Sequence, residues 1–263
     1  MKFASHSNPN KKVFESNSIV KHYLGQENLY PAEQGIYRVL ADQLSSMRML
    51  DIGMGGGRTT LHFAEKVREY FGVDYSSPLV EGCRTKFSKL AGNITFACMD
   101  VRDLSEFGNA SFDFILFSYN GLDYIVPEDR SMAMKEMRRL LKPGGYLCFS
   151  SHNLPGYGRN RFAIFSQPVQ WIRRALILTI LRILNGNPIT VRSRAFAMIR
   201  DDGLRFRLKL YYTSPSKERI LLADLGLEQS QMFGMDGRSI QVETDDKQIH
   251  DDWIYFLSRA PLK

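Results

Sequence analysis

The feature that most limits what this chain can become is Asp51-Ile-Gly53-Met-Gly55-Gly-Gly57. An acid sits near the end of the short apolar run Arg48-Met-Leu-Asp-Ile-Gly53, and glycines at alternate positions lead into an amphipathic segment at 58–70. Because glycine reaches backbone conformations closed to other residues, the pattern predicts a strand, a tight turn and a helix. A turn of this kind lets a ligand lie against the backbone at the strand ends, the usual binding crevice of open α/β sheets.

The chain then repeats that unit. Tyr70-Phe-Gly-Val-Asp74 predicts a second strand, and Ser76-Ser-Pro78 caps a helix that runs to about residue 90. Segments 94–98, 112–117 and 146–151 predict the third, fourth and fifth strands, with a helix over 128–141 before the fifth. Strands alternating with helices mean a mostly parallel sheet covered on both faces. Ahead of this, 13–45 reads as two helices separated by Pro31, with Val20, Tyr23 and Leu24 and then Ile36, Val39, Leu40 and Leu44 at helical spacing. The alternation stops after Ser151. Segment 153–213 is rich in Arg and aromatics and contains a predicted helix over 168–184, closed by Asn185-Gly-Asn-Pro188. It resumes with a helix over 216–225, a strand over 227–233 and a last strand over 253–259. The expected organisation is an N-terminal helical segment or cap (1–45), an α/β domain (46–152 and 214–263) and a basic, partly helical insert (153–213) acting as a substrate lid.

Charge marks the same boundary. The net +7 is local, because 153–219 holds 13 Lys and Arg against Asp201, Asp202 and Glu218, a net +10 that leaves −3 for the rest. Two other functions follow from this segment. One is an enzyme acting on nucleic acid (RNA), or a nucleic-acid binder, from its cations and interleaved Tyr and Phe. The other is action on a membrane-associated substrate through peripheral contact, from the run Trp171-Ile-Arg-Arg-Ala-Leu-Ile-Leu-Thr-Ile-Leu-Arg182. The lid is favoured over both, with a small, acidic substrate as one reason for arginines to face the site. The polar stretch 1–12 predicts no secretory signal. The longest uncharged apolar run, 175–181, is far short of the ~20 residues of a spanning helix. Cys83, Cys98 and Cys148 are odd in number and set among apolar neighbours, which predicts reduced, buried thiols and a cytoplasmic protein.

The acids carry the chemistry. A dinucleotide dehydrogenase is the rival reading of Gly53-x-Gly55, but the third glycine of that fingerprint falls on Arg58. An acid beside the glycines is also awkward for a pyrophosphate and welcome for an amino group. Asp74, 23 residues after Asp51, ends the second strand, where a carboxylate can accept both hydroxyls of a ribose; an Asp capping the next helix would look the same. Asp100, in Met99-Asp100-Val101, follows the third strand and is either an adenine contact or a turn residue. Together at successive strand ends the three are far more specific than any one.

These residues resemble the class I S-adenosylmethionine-dependent methyltransferases, and the resemblance covers nearly everything except the insert. Asp51-x-Gly53-x-Gly55-x-Gly57 matches their first motif, Asp74 their ribose-binding acid and Met99-Asp100-Val101 their adenine-contacting motif. Phe112-Asp-Phe-Ile115 resembles their fourth strand and Leu141-Lys-Pro-Gly-Gly145 their turn before the fifth. The family implies a Rossmann-like, seven-stranded sheet with the final strand antiparallel, and S-adenosyl-L-methionine as cofactor. By that resemblance Asp51, Gly53, Gly55 and Gly57 hold its methionine end, Asp74 with neighbouring Tyr75 its ribose, Asp100 and Val101 its adenine, and Ser118 lies near the sulfonium. Ser118-Tyr-Asn120 does not match the Asn/Asp-Pro-Pro-aromatic motif of amino-methylating DNA enzymes. The implied reaction is methyl transfer to an O, N or C nucleophile of a small molecule. His152, at the end of the fifth strand, is the best-placed base, or else a hydrogen-bonded turn residue. Tyr23 belongs to an N-terminal helix that in related enzymes folds over the cofactor, though packing alone also explains it. His6, His62 and His250 have no acid or cysteine partners at metal spacing, so no metal site is expected.

Overall fold

The computed structural model describes residues 10–90, 92–158, 168–202, 206–241 and 243–262. The stretch before Asn10, Arg205 of the insert and the side chain of Trp171 lie outside the described residues.

Strand β1 (Arg48–Ile52) lies between β2 (Glu69–Asp74) and β4 (Phe112–Phe117), both parallel to it. Because this central strand is covered on both sides, all its alternate residues are spoken for. Leu50 and Ile52 join Ile115, Phe117, Leu147 and Phe149 under helix α6 (Pro127–Leu140). Met49 joins Phe114, Leu116 and Cys148 under α3 (Pro31–Leu44), which contributes Ile36, Leu40 and Leu44. Parallel β3 (Ile94–Cys98) extends the sheet beyond β2, and parallel β5 (Leu141–Asn153) beyond β4. On the far side of β5, β10 (Trp253–Arg259) runs antiparallel to it and to β8 (Glu228–Phe233), and β9 (Ser239–Ile240) pairs with β8. The order is β3-β2-β1-β4-β5-β10-β8-β9. This is the mostly parallel, Rossmann-like sheet with an antiparallel last strand that the sequence predicts.

Several particulars differ. Among the described residues the sheet has ten strands rather than seven. Besides β9, the additions are β6 (Phe196–Ile199) and β7 (Leu210–Thr213), an antiparallel pair inside the insert. Ladder β4–β5 ends at Phe117 opposite Phe149, so the end of β5 outruns its neighbour. There β7 pairs with it in parallel, Tyr212 opposite His152 and Thr213 opposite Asn153. The insert is therefore anchored to the sheet as well as helical. It holds α7 (Pro168–Asn185) and α8 (Pro188–Arg192), and Leu154, Tyr157, Val191, Ala197, Ile199, Leu210 and Tyr212 form a separate small cluster. The helix expected over 58–70 is only the single turn α4 (Thr60–Phe63), because the Arg68 N–H turns to the Met47 carbonyl (2.9 Å) and leads the chain into β2. The 141–145 turn is absorbed into β5 as an irregularity, with Gly144 at φ 74°. At its other end β5 runs on to Asn153 through pairing with β10 and β7, so His152 lies within the strand. Cys83 and Cys148 are buried as expected, but Cys98 is exposed.

The N-terminal part comprises α1 (Lys11–Phe14), α2 (Asn17–Leu24) and α3, and α5 (Ser77–Lys86) follows β2. The remaining helix, α9 (Pro215–Asp224), precedes β8.

Candidate active site

At the C-terminal ends of β1, β2 and β4 a cleft of about 840 Å³ is walled by Asp51, the glycine turn, Asp74, Tyr75, Val101 and Ser118. Its sides are aromatic: Phe14, Tyr23, Phe117, Tyr119 and Tyr124. Aromatic faces attract cations and two acids add to that attraction, so the cleft suits an organic cation with an apolar body.

The glycines are needed for space and for shape. Gly53, Gly55 and Gly57 have φ between 57° and 77°, the left-handed region. Gly56 matters for a different reason. A Cβ there would lie 2.2 Å from the backbone of Tyr23, so the end of α2 rests directly on the turn. Thus the N-terminal segment does fold over the cleft, and Tyr23 is part of its wall.

Each acid is held in place. Asp51 is buried and accepts from the Thr59 hydroxyl (2.5 Å) and the Tyr70 hydroxyl (2.6 Å). Burial pushes its carboxyl up to about 6, against the opposing effect of those two hydroxyls. Asp74 accepts from the backbone N–H of Gly55 (3.0 Å) and of Ser76 (2.8 Å), and burial lifts it to about 6 as well. It thus ties the glycine turn to the end of β2. Tyr75, next along, has a buried hydroxyl with no hydrogen-bond partner. Asp100 differs from the other two. Its carboxylate is gripped by Arg102 (2.8 and 3.0 Å), which also reaches Asp129 (2.7 Å), and it lines a neighbouring cleft while Met99 and Val101 line the first. The arginine two residues on takes up the charge that the sequence assigns to an adenine amino group.

Two networks were not legible in the sequence. In the first, buried Glu33 accepts two N–H bonds from the Arg58 guanidinium, and one each from the Ser118 hydroxyl and the Tyr255 hydroxyl (3.1 Å). Arg58 also sits over the Tyr30 ring at 4.5 Å, and Tyr30 stacks on Tyr119 at 5.0 Å. This gives Arg58, the residue that breaks the dinucleotide fingerprint, a structural place against α3. The available signal was the capping box at Tyr30-Pro-Ala-Glu33, where Glu33 Oε2 accepts from the Tyr30 N–H (2.8 Å).

The second network surrounds His152. Asp123 Oδ2 accepts from the His152 backbone N–H (2.6 Å) and lies 2.8 Å from its Nδ1. Asp123 Oδ1 meets Arg130 and the Ser151 hydroxyl, each at 3.0 Å, and Arg130 continues to Glu218. On its other side, His152 Nε2 lies 3.3 Å from Asn120 Nδ2, and the ring stacks on Tyr212 at 4.5 Å. His152 is buried and is not itself in the cleft wall; Tyr119 and Gly121, on either side of Asn120, are. Tyr119 and Asn120 have φ of 52° and 58°. Left-handed non-glycine residues in succession are strained and tend to cluster at functional sites.

A second cleft of about 1580 Å³ shares Tyr75, Val101, Phe117, Gly121 and Tyr124 with the first. Its other walls include Met198, Arg200, Arg207 and Lys209 of the insert.

Comparison with known proteins agrees with this geometry. A family model described as a methyltransferase domain matches residues 49–145. The ubiquinone/menaquinone biosynthesis C-methyltransferase of Geotalea daltonii is 27% identical over 189 residues, 70% of this chain and 72% of that protein. The ubiquinone biosynthesis O-methyltransferase of Idiomarina loihiensis is 28% identical over 123 residues, 47% of this chain and 49% of its own length. Among solved structures, the CcbJ methyltransferase of Streptomyces caelestis covers 96% of this chain and 99% of its own at 16% identity, with a TM-score of 0.65. That likeness shows the fold.

A parallel sheet with a glycine turn and acids at successive strand ends defines the Rossmann-like methyltransferase class. Residues 49–145 match a methyltransferase domain, and the chain resembles the class I S-adenosylmethionine-dependent methyltransferases, a likeness that implies S-adenosyl-L-methionine as the cofactor. The structure fits that group: glycine backbone where a side chain would intrude, an unpartnered Tyr75 hydroxyl in the wall, and acids and aromatic rings suited to a sulfonium and an ammonium.

Proposed function

We propose that the chain methylates an O, N or C nucleophile of a small organic molecule held in the second cleft, beneath the insert. The observation that carries this reading is the shared wall, Tyr75, Val101, Phe117, Gly121 and Tyr124, through which the two clefts adjoin. The relatives named as C- and O-methyltransferases support the substrate class. The insert then serves as cover and acceptor wall, and Arg200, Arg207 and Lys209 favour an acceptor with anionic character.

Within the first cleft we assign Asp51 and the glycine turn to the methionine end, Asp74 and Tyr75 to the ribose, Val101 to the adenine and Ser118 to the region of the sulfonium. Asp100 would serve adenine only if Arg102 released it. S-Adenosylmethionine supplies an electrophilic methyl group on sulfur when bound. The acceptor atom bonds to the methyl carbon as the carbon–sulfur bond breaks, and in-line placement of the two is the main contribution asked of the protein. An acceptor hydroxyl or ammonium also gives up a proton, which we assign to His152 Nε2. In this reading Asp123 is a positioning residue that holds Nδ1, and Asn120 is a gate whose bond to Nε2 the acceptor replaces.

Methyl-labelled cofactor incubated with the full chain and a fractionated cell extract tests the proposal. Label is expected in the small-molecule fraction. Label confined to RNA, DNA or protein would overturn it.

A further inference from the structure

The insert has a second exposed feature that methyl transfer does not use. Of the twelve large hydrophobic side chains exposed among the described residues, seven lie within 172–196. On α7 they are Ile172 (64% exposed), Leu176 (60%), Ile180, Ile183 (77%) and Leu184. At 3.6 residues per turn these five fall within about 120° of one another, a single stripe along the helix. Leu181, outside that stripe, is buried at 3% exposure. Exposed Ile189 and Phe196 follow in the next two elements. A contiguous apolar face of this sort on a folded domain marks a surface of interaction.

Charge identifies what the surface meets. Segment 168–200 contains six arginines and no aspartate or glutamate, and Arg182, Arg194 and Arg200 are exposed. We propose that α7 lies in the plane of an anionic lipid bilayer, with its aliphatic stripe in the headgroup boundary and the exposed arginines Arg182 and Arg194 supplying attraction to lipid phosphates. Two copies of this face would set arginines against arginines with no acid to neutralise them, and a nucleic acid would leave the aliphatic stripe in water. Among the described residues no helix is long and apolar enough to cross a membrane, so α7 lies on the bilayer. The same insert lines the second cleft through Met198 and Arg200. Resting on the reading of that cleft as the acceptor site, the proposal makes the acceptor an amphiphile that partitions into the bilayer.

The test is sedimentation of the full chain with vesicles of phosphatidylcholine alone and of phosphatidylcholine mixed with phosphatidylglycerol. The protein is expected in the pellet only with the mixed vesicles, and less of it as salt rises. The double substitution Leu176→Glu with Ile183→Glu should lower the bound fraction roughly tenfold or more. S-Adenosylhomocysteine affinity, measured by calorimetry on the same samples, should not change, which separates failure here from failure of the cofactor assignment. Wild-type protein that stays in solution with both vesicles, or a double variant that binds as well as wild type, would overturn the proposal. So would a concentration-dependent dimer that the double variant dissolves, because the face would then belong to a second copy.

Discussion

The glycine-turn half, from β1 to Val101, and the insert handle polarity in opposite ways. In the first, the acids Asp51 and Asp74 are buried and bonded within a few ångströms to hydroxyls and backbone N–H groups of their own half. In the second, arginines and aliphatic side chains are exposed side by side on α7 and beyond. The first satisfies its buried acids within itself; the second has surface left over for something else. The family model stops at residue 145, short of the insert. This division fits a protein in which the shared cofactor is served by one half and the identity of the acceptor by the other.

The largest effect that could break this comparison concerns His152, which joins the two halves through Asn120 and β7. His152→Ala is expected to lower turnover by roughly 10²–10⁴-fold, with cofactor affinity nearly unchanged. Asp123→Asn should shift the pH profile of turnover while fold and cofactor binding persist. Turnover close to wild type in the His152 variant would assign the residue to structure.

Next comes Gly56→Ala. Its Cβ must displace the backbone of α2 at Tyr23, and overpacking of that kind costs about 1–3 kcal/mol. Titration calorimetry should show cofactor affinity reduced by about tenfold to a hundredfold. A substitution in α7, such as Leu176→Ala, should leave cofactor affinity alone. Asp74→Ala should weaken the cofactor by about 1–3 kcal/mol through lost hydrogen bonds, read by the same method.

A smaller effect is a proton linkage. Burial lifts Asp51 and Asp74 to about 6 in the free protein. A cation bound beside Asp51, and ribose hydroxyls donating to Asp74, favour the charged forms, so binding releases protons near pH 6 and affinity falls as the pH drops below about 6. For the free protein the sign reverses. Folding disfavours these two charges, so their contribution to stability improves as pH falls through about 6 toward their ordinary 3.8. Calorimetry in buffers of different ionisation enthalpy measures the released protons.

What the sequence revealed divides along the same line. Strand β1, the three acids and the last strand were legible because each is signalled by neighbours in the chain: an apolar run, a glycine turn, an acid at its end. Glu33 and Arg58 lie 25 residues apart, and Asp123 and His152 lie 29 apart, so nothing local pairs them. Strand β7 escaped notice because its partners are β6, earlier in the insert, and the overhang of β5, which nothing local signals. Asp100 was read as an adenine contact or a turn residue, and its pairing with Arg102 was not seen because the reach of Arg102 back to it depends on the turn between them.

The central claim is that the glycine-turn half binds S-adenosylmethionine. Titration calorimetry of the purified chain with S-adenosylmethionine, S-adenosylhomocysteine and NAD tests it most directly. One site per chain with micromolar-range affinity for the first two, and no heat from NAD, is the expected result; binding of NAD with neither of the others would contradict the account.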